Sequence, residues 1–262
     1  MKVSGSKAFS FGMVVAVLAT AGAVLDWMVA PAWLAARARQ PALQLNPSMA
    51  AAGQGVTLAL LGGFRALVAD ALWIRMYVLW ERRDLPGTQS LIQLVTAVDP
   101  RPVYFWINGA RILANDLAAW RIEAAGGYDA IGEAVVASLN QQQAAVALSF
   151  LNEAMTFHPA SAELWIERAN IQLHRMRDPG AAAESYGRAW EQPRAPYYAA
   201  RLHAEMLRRA GRKAEALAFL VRLHPTLPPN DDGAARETVL ERIRALEREL
   251  NVPPEKAYQP PP

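Results

Sequence analysis

One helical figure recurs along the second half of this chain at a spacing near 34 residues, and few folds satisfy such a recurrence. In Ala147-Leu148-Ser149-Phe150-Leu151-Asn152-Glu153-Ala154, small and apolar residues fall three and four apart, and Pro159 follows. That spacing lines one face of a helix. The figure returns as Ala182, Tyr186 and Ala189 with Pro193, then as Ala216, Leu220 and Leu223 with Pro228. Ala147, Ala182 and Ala216 stand 35 and 34 residues apart, and the three prolines 34 and 35. A period of this length predicts repeated helix–turn–helix units, each too small to bury its apolar face without its neighbours.

Each of these second helices is preceded by a first helix that opens on an aromatic residue. Trp165 lies near the start of a helix expected over Glu163 to Met176, and Tyr197-Tyr198 starts one expected to reach Ala210. Ala169 and Ala204 are small where two helices approach closely. Gly211 suits the left-handed position that ends a helix, and Asp178-Pro179-Gly180 both ends one helix and starts the next. On these residues the chain resembles the tetratricopeptide repeat family. The resemblance implies an all-α, right-handed solenoid of antiparallel helix pairs with a concave binding face, over residues 128–230.

Upstream, 55–127 reads as a divergent helical region of the same kind. Helices are expected over Ala66 to Trp80, Thr88 to Val98 and Val103 to Ala124, with Asp99-Pro100 as a stop and Gly126-Gly127 as a break. Pro100 and Pro159 are 59 residues apart, which leaves room for an insertion or for one lengthened hairpin. The block Gly62-Gly63-Phe64-Arg65-Ala66-Leu67-Val68-Ala69-Asp70-Ala71-Leu72-Trp73-Ile74-Arg75 is similar to the start of a bacterial group of membrane-anchored tetratricopeptide proteins that have no assigned activity. At the other end, 231–252 is expected to form a solvating capping helix. Asp231-Asp232-Gly233 would cap it, Val239, Ile243, Leu246 and Leu250 would form its apolar stripe, and Arg236, Glu241, Arg244, Glu247 and Arg248 its wet face. Residues 253–262 read as a disordered or polyproline tail.

The amino terminus has a different character. Lys2 and Lys7 precede Phe9 to Leu25, which holds no charged residue. Continued to Pro31, the run is long enough to span a bilayer, so 1–36 is expected to be an N-terminal transmembrane anchor. A cleaved signal peptide is the alternative, because Ala19-Thr20-Ala21 and Ala21-Gly22-Ala23 are small-x-small sites. Pro41, Pro47 and Gly53 make 37–54 a linker. Val56 to Trp80 is also apolar, but Arg65, Asp70 and Arg75 interrupt it too often for a second span. The repeats are expected on the exocytoplasmic, periplasmic side.

Composition narrows the chemistry. The 262 residues include no Cys, which removes disulfide scaffolds, thiolate zinc, iron–sulfur sites and a cysteine nucleophile. The net charge is +3, from 27 Lys and Arg against 24 Asp and Glu alternating along the chain, so nucleic acid is not an expected partner. His158, His174, His203 and His224 show no metal-binding spacing and read as satisfied or solvated. Gly53-Gln54-Gly55 lacks a third glycine for a phosphate loop, and no nucleophile elbow exists. Trp73, Trp80, Trp106, Trp165 and Trp190 read as packing bulk. No catalytic residue, metal or cofactor is expected.

What remains is the groove that the family resemblance implies. Its lining, on the first helices, would comprise Glu163, Asn170, His174, Tyr198, Arg201, Glu205 and Arg208. Family members that clamp a C-terminal carboxylate use lysine and asparagine there; Asn170 matches the asparagine, and Ile166 stands one turn earlier in place of a lysine. Arg201 and Arg208, seven apart, could hold an acidic or extended peptide, or could be merely solvated. The expected function is a non-catalytic, membrane-anchored scaffold or adaptor that binds a protein or peptide partner in an envelope-associated complex. The alternatives are a structural subunit without an exchangeable ligand, and an enzyme built from scattered Glu, Asp and His.

Overall fold

The computed structural model describes residues 63–260. The expected anchor and linker, and the last two residues, lie outside them. Every regular element among the described residues is helical, and successive helices pack in adjacent pairs. No helix among these residues is long and apolar enough to cross a membrane. The chain divides into two compact units, the first ending at Val98 and the second beginning at Asp99.

In the first unit, α1 (Arg65–Glu81) packs on α2 (Leu85–Val98). Ala69, Trp73 and Met76 of α1 are buried, as are Leu91, Ile92 and Val95 of α2. The second helix starts three residues before the expected Thr88. Pro86 in its first turn explains the extension, because a proline there sacrifices no helical hydrogen bond.

The second unit opens on the lengthened hairpin. α3 (Val103–Arg111) runs through a π-helical turn (Ile112–Asp116) into α4 (Leu117–Ala124), and α5 (Glu133–Phe157) returns beside them over 25 residues. The extra sequence between Pro100 and Pro159 is therefore helix length. The hairpin is closed at one end by Trp106, which is fully buried between Phe150 and Phe157 with ring centroids 4.7 and 5.9 Å away. Its indole N–H donates to the Pro100 carbonyl at 2.8 Å, and His158 Nε2 bonds the same oxygen at 2.8 Å. A carbonyl only accepts, so His158 carries its proton on Nε2.

Four helices follow at the expected period: α6 (Ala162–His174), α7 (Pro179–Trp190), α8 (Tyr197–Arg209) and α9 (Lys213–Leu223). Each packs on the next, and Ala169, Ala182, Ala183, Ala200, Ala204 and Ala216 are buried at their contacts. The Asp178 carboxylate accepts from Ala181 N–H and so caps α7. The left-handed residue before that cap is Arg177, with φ of 54°, and not Gly180, which lies inside the helix. Gly211 takes the left-handed position after α8, with φ of 81°.

Gly187 answers a different need. A methyl group there would meet the His203 ring at 3.0 Å. That ring is held by a 2.7 Å bond from Nδ1 to the Ala183 carbonyl and by edge contact with Phe219. On an open helix, Gly→Ala stabilises by about 1 kcal/mol. Here Gly187→Ala is expected to destabilise by about 1 kcal/mol instead, since the ring can yield only by straining its bond to Ala183. Chemical denaturation of the variant checks the sign.

The end of the unit differs from expectation in four ways. Asp231 caps a short 3-10 turn (Asp232–Ala234) through Gly233 N–H, and the last helix, α10 (Arg236–Glu249), begins after it behind a left-handed Ala235. Val239, Ile243 and Leu246 are buried as the stripe predicts, while Leu250 is only half-buried. Glu247, expected on the wet face, is buried: its carboxylate accepts from Arg244 and from the backbone N–H of Tyr258. In the stretch expected as a free tail, Pro254–Lys256 forms a 3-10 turn, and Tyr258 packs edge-on against His224 with its hydroxyl 3.0 Å from Nδ1. Burial, then the nearby charge of Arg236, holds the His224 imidazole below its ordinary pKa.

Candidate functional site

The first helices α3, α6 and α8 carry a line of polar side chains on faces that their apolar residues do not use. On α6, the buried residues are Ala162, Leu164, Ile166, Glu167, Ala169, Ile171 and Gln172. Glu167 is the exceptional member, a carboxylate with a 5% exposed side chain. Arg111, from the last turn of α3, reaches it with both Nε and one terminal nitrogen at 2.9 Å, and keeps 54% of its own side chain open to solvent.

The π turn directly after Arg111 adds a residue to the helical circuit. Asn115 within it accepts from Arg175 Nε at 2.6 Å, and Asn140 of α5 accepts from the same guanidinium at 3.2 Å. Arg175 thus ties the end of α6 to both arms of the long hairpin. Farther along, Tyr186 of α7 donates its hydroxyl proton to Asn170 at 2.6 Å. Burial raises the Tyr186 hydroxyl to a pKa of about 12, and the neighbouring Tyr198 and Glu167 push in the same direction. Gln172 and Ser185 form a second buried α6–α7 bond of 2.6 Å.

The seven residues expected to line a groove therefore separate into two groups. Glu163, His174 and Tyr198 are exposed, Tyr198 at 45%. The other four are occupied by contacts within the chain. Asn170 is bound by Tyr186, and the Ile166 beside it is buried, so this pair is not arranged as a carboxylate clamp. Arg201 donates to the carbonyls of Gly233 and Ala234, at 2.8 and 3.2 Å, and so fastens the turn before α10. Arg208 grips Glu205 with two 2.9 Å bonds and lies 3.9 Å from Glu249 of α10. Arg209 bonds Glu205 as well. Arg201 is thus engaged by the turn before α10, and Arg208 by Glu205 of its own helix, with Glu249 of α10 nearby.

The Arg208 bond, assisted by Arg209, holds the Glu205 carboxyl at about 2, well below its ordinary 4.5. A depressed carboxylate stabilises the fold fully above its unfolded pKa and loses that contribution as pH falls through the folded value. Acid titration is thus expected to remove about 1–2 kcal/mol between roughly pH 4.5 and pH 2, after screening at partly exposed guanidinium groups. Glu205→Gln removes that loss from the acid limb of the unfolding curve, at a similar cost near pH 7.

Sequence reasoning missed Arg111, Glu167 and Arg175. Only the Glu at a position flanked by Ile166 and Ala169 signalled that a carboxylate would be buried. Among the described residues, no three His, Asp or Glu side chains gather as a metal site would require. The arrangement offers the Arg111 guanidinium edge, the Tyr198 ring and hydroxyl, and the Glu163 carboxylate. Groups of these types can form hydrogen bonds and apolar contacts.

Among the described residues, the geometry defines an all-helical architecture of adjacent packed helix pairs. No protein-family model matches the chain, and no curated protein matches it.

Proposed function

We propose that this chain is a tetratricopeptide-like solenoid, tethered to a membrane by its N-terminal segment, that acts as a non-catalytic scaffold for a protein or peptide partner. The observation that carries the reading is the open polar line on α3, α6 and α8, where Arg111, Glu163, His174 and Tyr198 stay accessible while their neighbours are fixed by internal bonds. Arg111, already ordered by its bond to Glu167, loses less entropy when a ligand docks. An extended segment with a carboxylate or backbone carbonyls suits Arg111, and an apolar side chain suits the Tyr198 ring.

The test is co-purification from gently solubilised membranes, comparing the intact chain with a Glu163→Gln, His174→Ala, Tyr198→Ala variant. None of these substitutions removes a hydrogen bond seen among the described residues, so the variant should give an unchanged circular dichroism spectrum and melting curve. The expected result is a defined companion protein retained by the intact chain and depleted from the variant. Companions that survive the variant unchanged would place the contacts on another surface, as in a structural subunit, and overturn the groove. Arg201→Glu and Arg208→Glu are unsuitable probes because they break internal bonds, to the turn before α10 and to Glu205.

A further inference from the structure

Helix α1 has two apolar faces, and α2 covers one. Ala69, Trp73 and Met76 are buried, whereas Phe64, Leu67 and Ile74 are 59, 67 and 67% exposed. Ala71 is also exposed, and Val78 is half-buried. Phe64, Leu67, Ala71, Ile74 and Val78 succeed one another at intervals of three, four, three and four residues. At 100° per residue, that series forms one stripe on the side opposite Ala69, Trp73 and Met76. A helix that is apolar on both sides needs a second covering surface.

We infer that the outer stripe of α1 is the seam of a parallel pairing with α1 of a second copy of this chain. The spacing assigns Phe64, Ala71 and Val78 to the a positions of a heptad and Leu67 and Ile74 to the d positions. Asp70 then falls at g and Arg75 at the following e. In a parallel pair, g of one helix meets the next e of the other, so Asp70 faces Arg75 of the second copy on both sides of the seam. Both side chains are exposed, and no ion pair joins either to another described residue. An antiparallel pair sets g beside g and e beside e, which brings no opposite charges together.

The same charges argue against other occupants. Phe9 to Leu25 and the stretch from Gln40 to Gly62 contain no charged residue to answer Asp70 and Arg75. Lipid tails offer none either. Two heptads make a weak seam, so the pairing is reversible and depends on local concentration.

The natural absence of cysteine makes the test clean. Single Leu67→Cys, Ile74→Cys and Arg65→Cys variants of the full chain, in mild detergent and in vesicles, are treated with a short bis-maleimide. The stripe positions Leu67→Cys and Ile74→Cys should both give covalent dimer, each about tenfold more than the off-stripe Arg65→Cys. Asp70→Arg or Arg75→Asp, each added to Ile74→Cys, should weaken association roughly tenfold, because either change sets like charges across the seam. Mixing those two charge variants should restore cross-linking, as heterodimers. Circular dichroism confirms that each variant remains helical. Absence of dimer at both stripe positions overturns the pairing, and stripe thiols that resist a mono-maleimide then identify cover by the same chain or by lipid. Cross-linking insensitive to the charge changes overturns the parallel register.

Discussion

Trp106→Ala is expected to lower the stability of the unit beginning at Asp99 by about 3–5 kcal/mol, and its Tm by on the order of 10 °C. The indole is fully buried and stacks between Phe150 and Phe157 where the long hairpin closes. Its removal leaves a cavity that two rings on a 25-residue helix cannot collapse to fill. It also leaves the Pro100 carbonyl with His158 as its one remaining ring partner. Trp106→Phe separates the two contributions: ring contact is largely kept, and the loss should fall to about 1–2 kcal/mol for the missing N–H bond and the smaller ring. Urea unfolding followed by circular dichroism reads both variants. Equal losses for Ala and Phe would show that the Pro100 bond, and not ring packing, holds the hairpin closed.

The second large effect is expected at a residue that is more than half exposed. Arg111→Ala removes the cation that satisfies Glu167, whose side chain is 5% exposed. Stranding a buried carboxylate costs about 3–5 kcal/mol where water cannot reach it. Water reaches the Arg111 side of this pair, so a loss of about 2–3 kcal/mol is expected. Glu167→Gln in the Arg111→Ala background removes the stranded charge while keeping nearly the same shape. It should recover about half of the loss. Failure of the glutamine to recover stability would mean that Arg111 acts through the packing of its aliphatic stem. The double-mutant cycle, measured by chemical denaturation, distinguishes the two.

Much of the helical layout was legible beforehand, and each success has a local cause. Pro159 and Pro193 closely follow helix ends because proline cannot continue the hydrogen-bond ladder, whereas α9 stops at Leu223, ahead of Pro225 and Pro228. Asp178 and Gly211 act through their own side chain or backbone freedom, and Ala169, Ala182 and Ala204 are small because neighbouring helices touch there. The π turn at Ile112–Asp116 left no such mark: its residues suit an α-helix, and the Asn115–Arg175 bond that engages it spans 60 positions. Arg177 and Ala235 take left-handed backbone that sequence would assign to glycine, because adjoining helices fix the chain direction on both sides.

The candidate site was less legible than the fold for the same reason. Glu163, His174 and Tyr198 remain open as expected of a solvated helix face, but Arg201, Arg208 and Asn170 on equivalent faces do not. Periodicity tells which side of a helix avoids its immediate partner. It does not tell that the turn before α10 packs on α8 and α10 itself on α9, or that Tyr258 returns to Glu247 and His224.

By itself, the sequence determined that the chain is helical from residue 65 onward, where most helices begin and end, and which alanines lie between them. Those properties depend on propensity, capping and side-chain volume, which act over a few residues. Only the tertiary structure decided which charges are occupied and which remain open, that Glu167 and Glu247 are buried, and that Phe64, Leu67 and Ile74 on one stripe of α1 are exposed. A charged side chain's partner is chosen by distance in space, and residues 30 to 60 positions apart come within 3 Å only after the helices have packed.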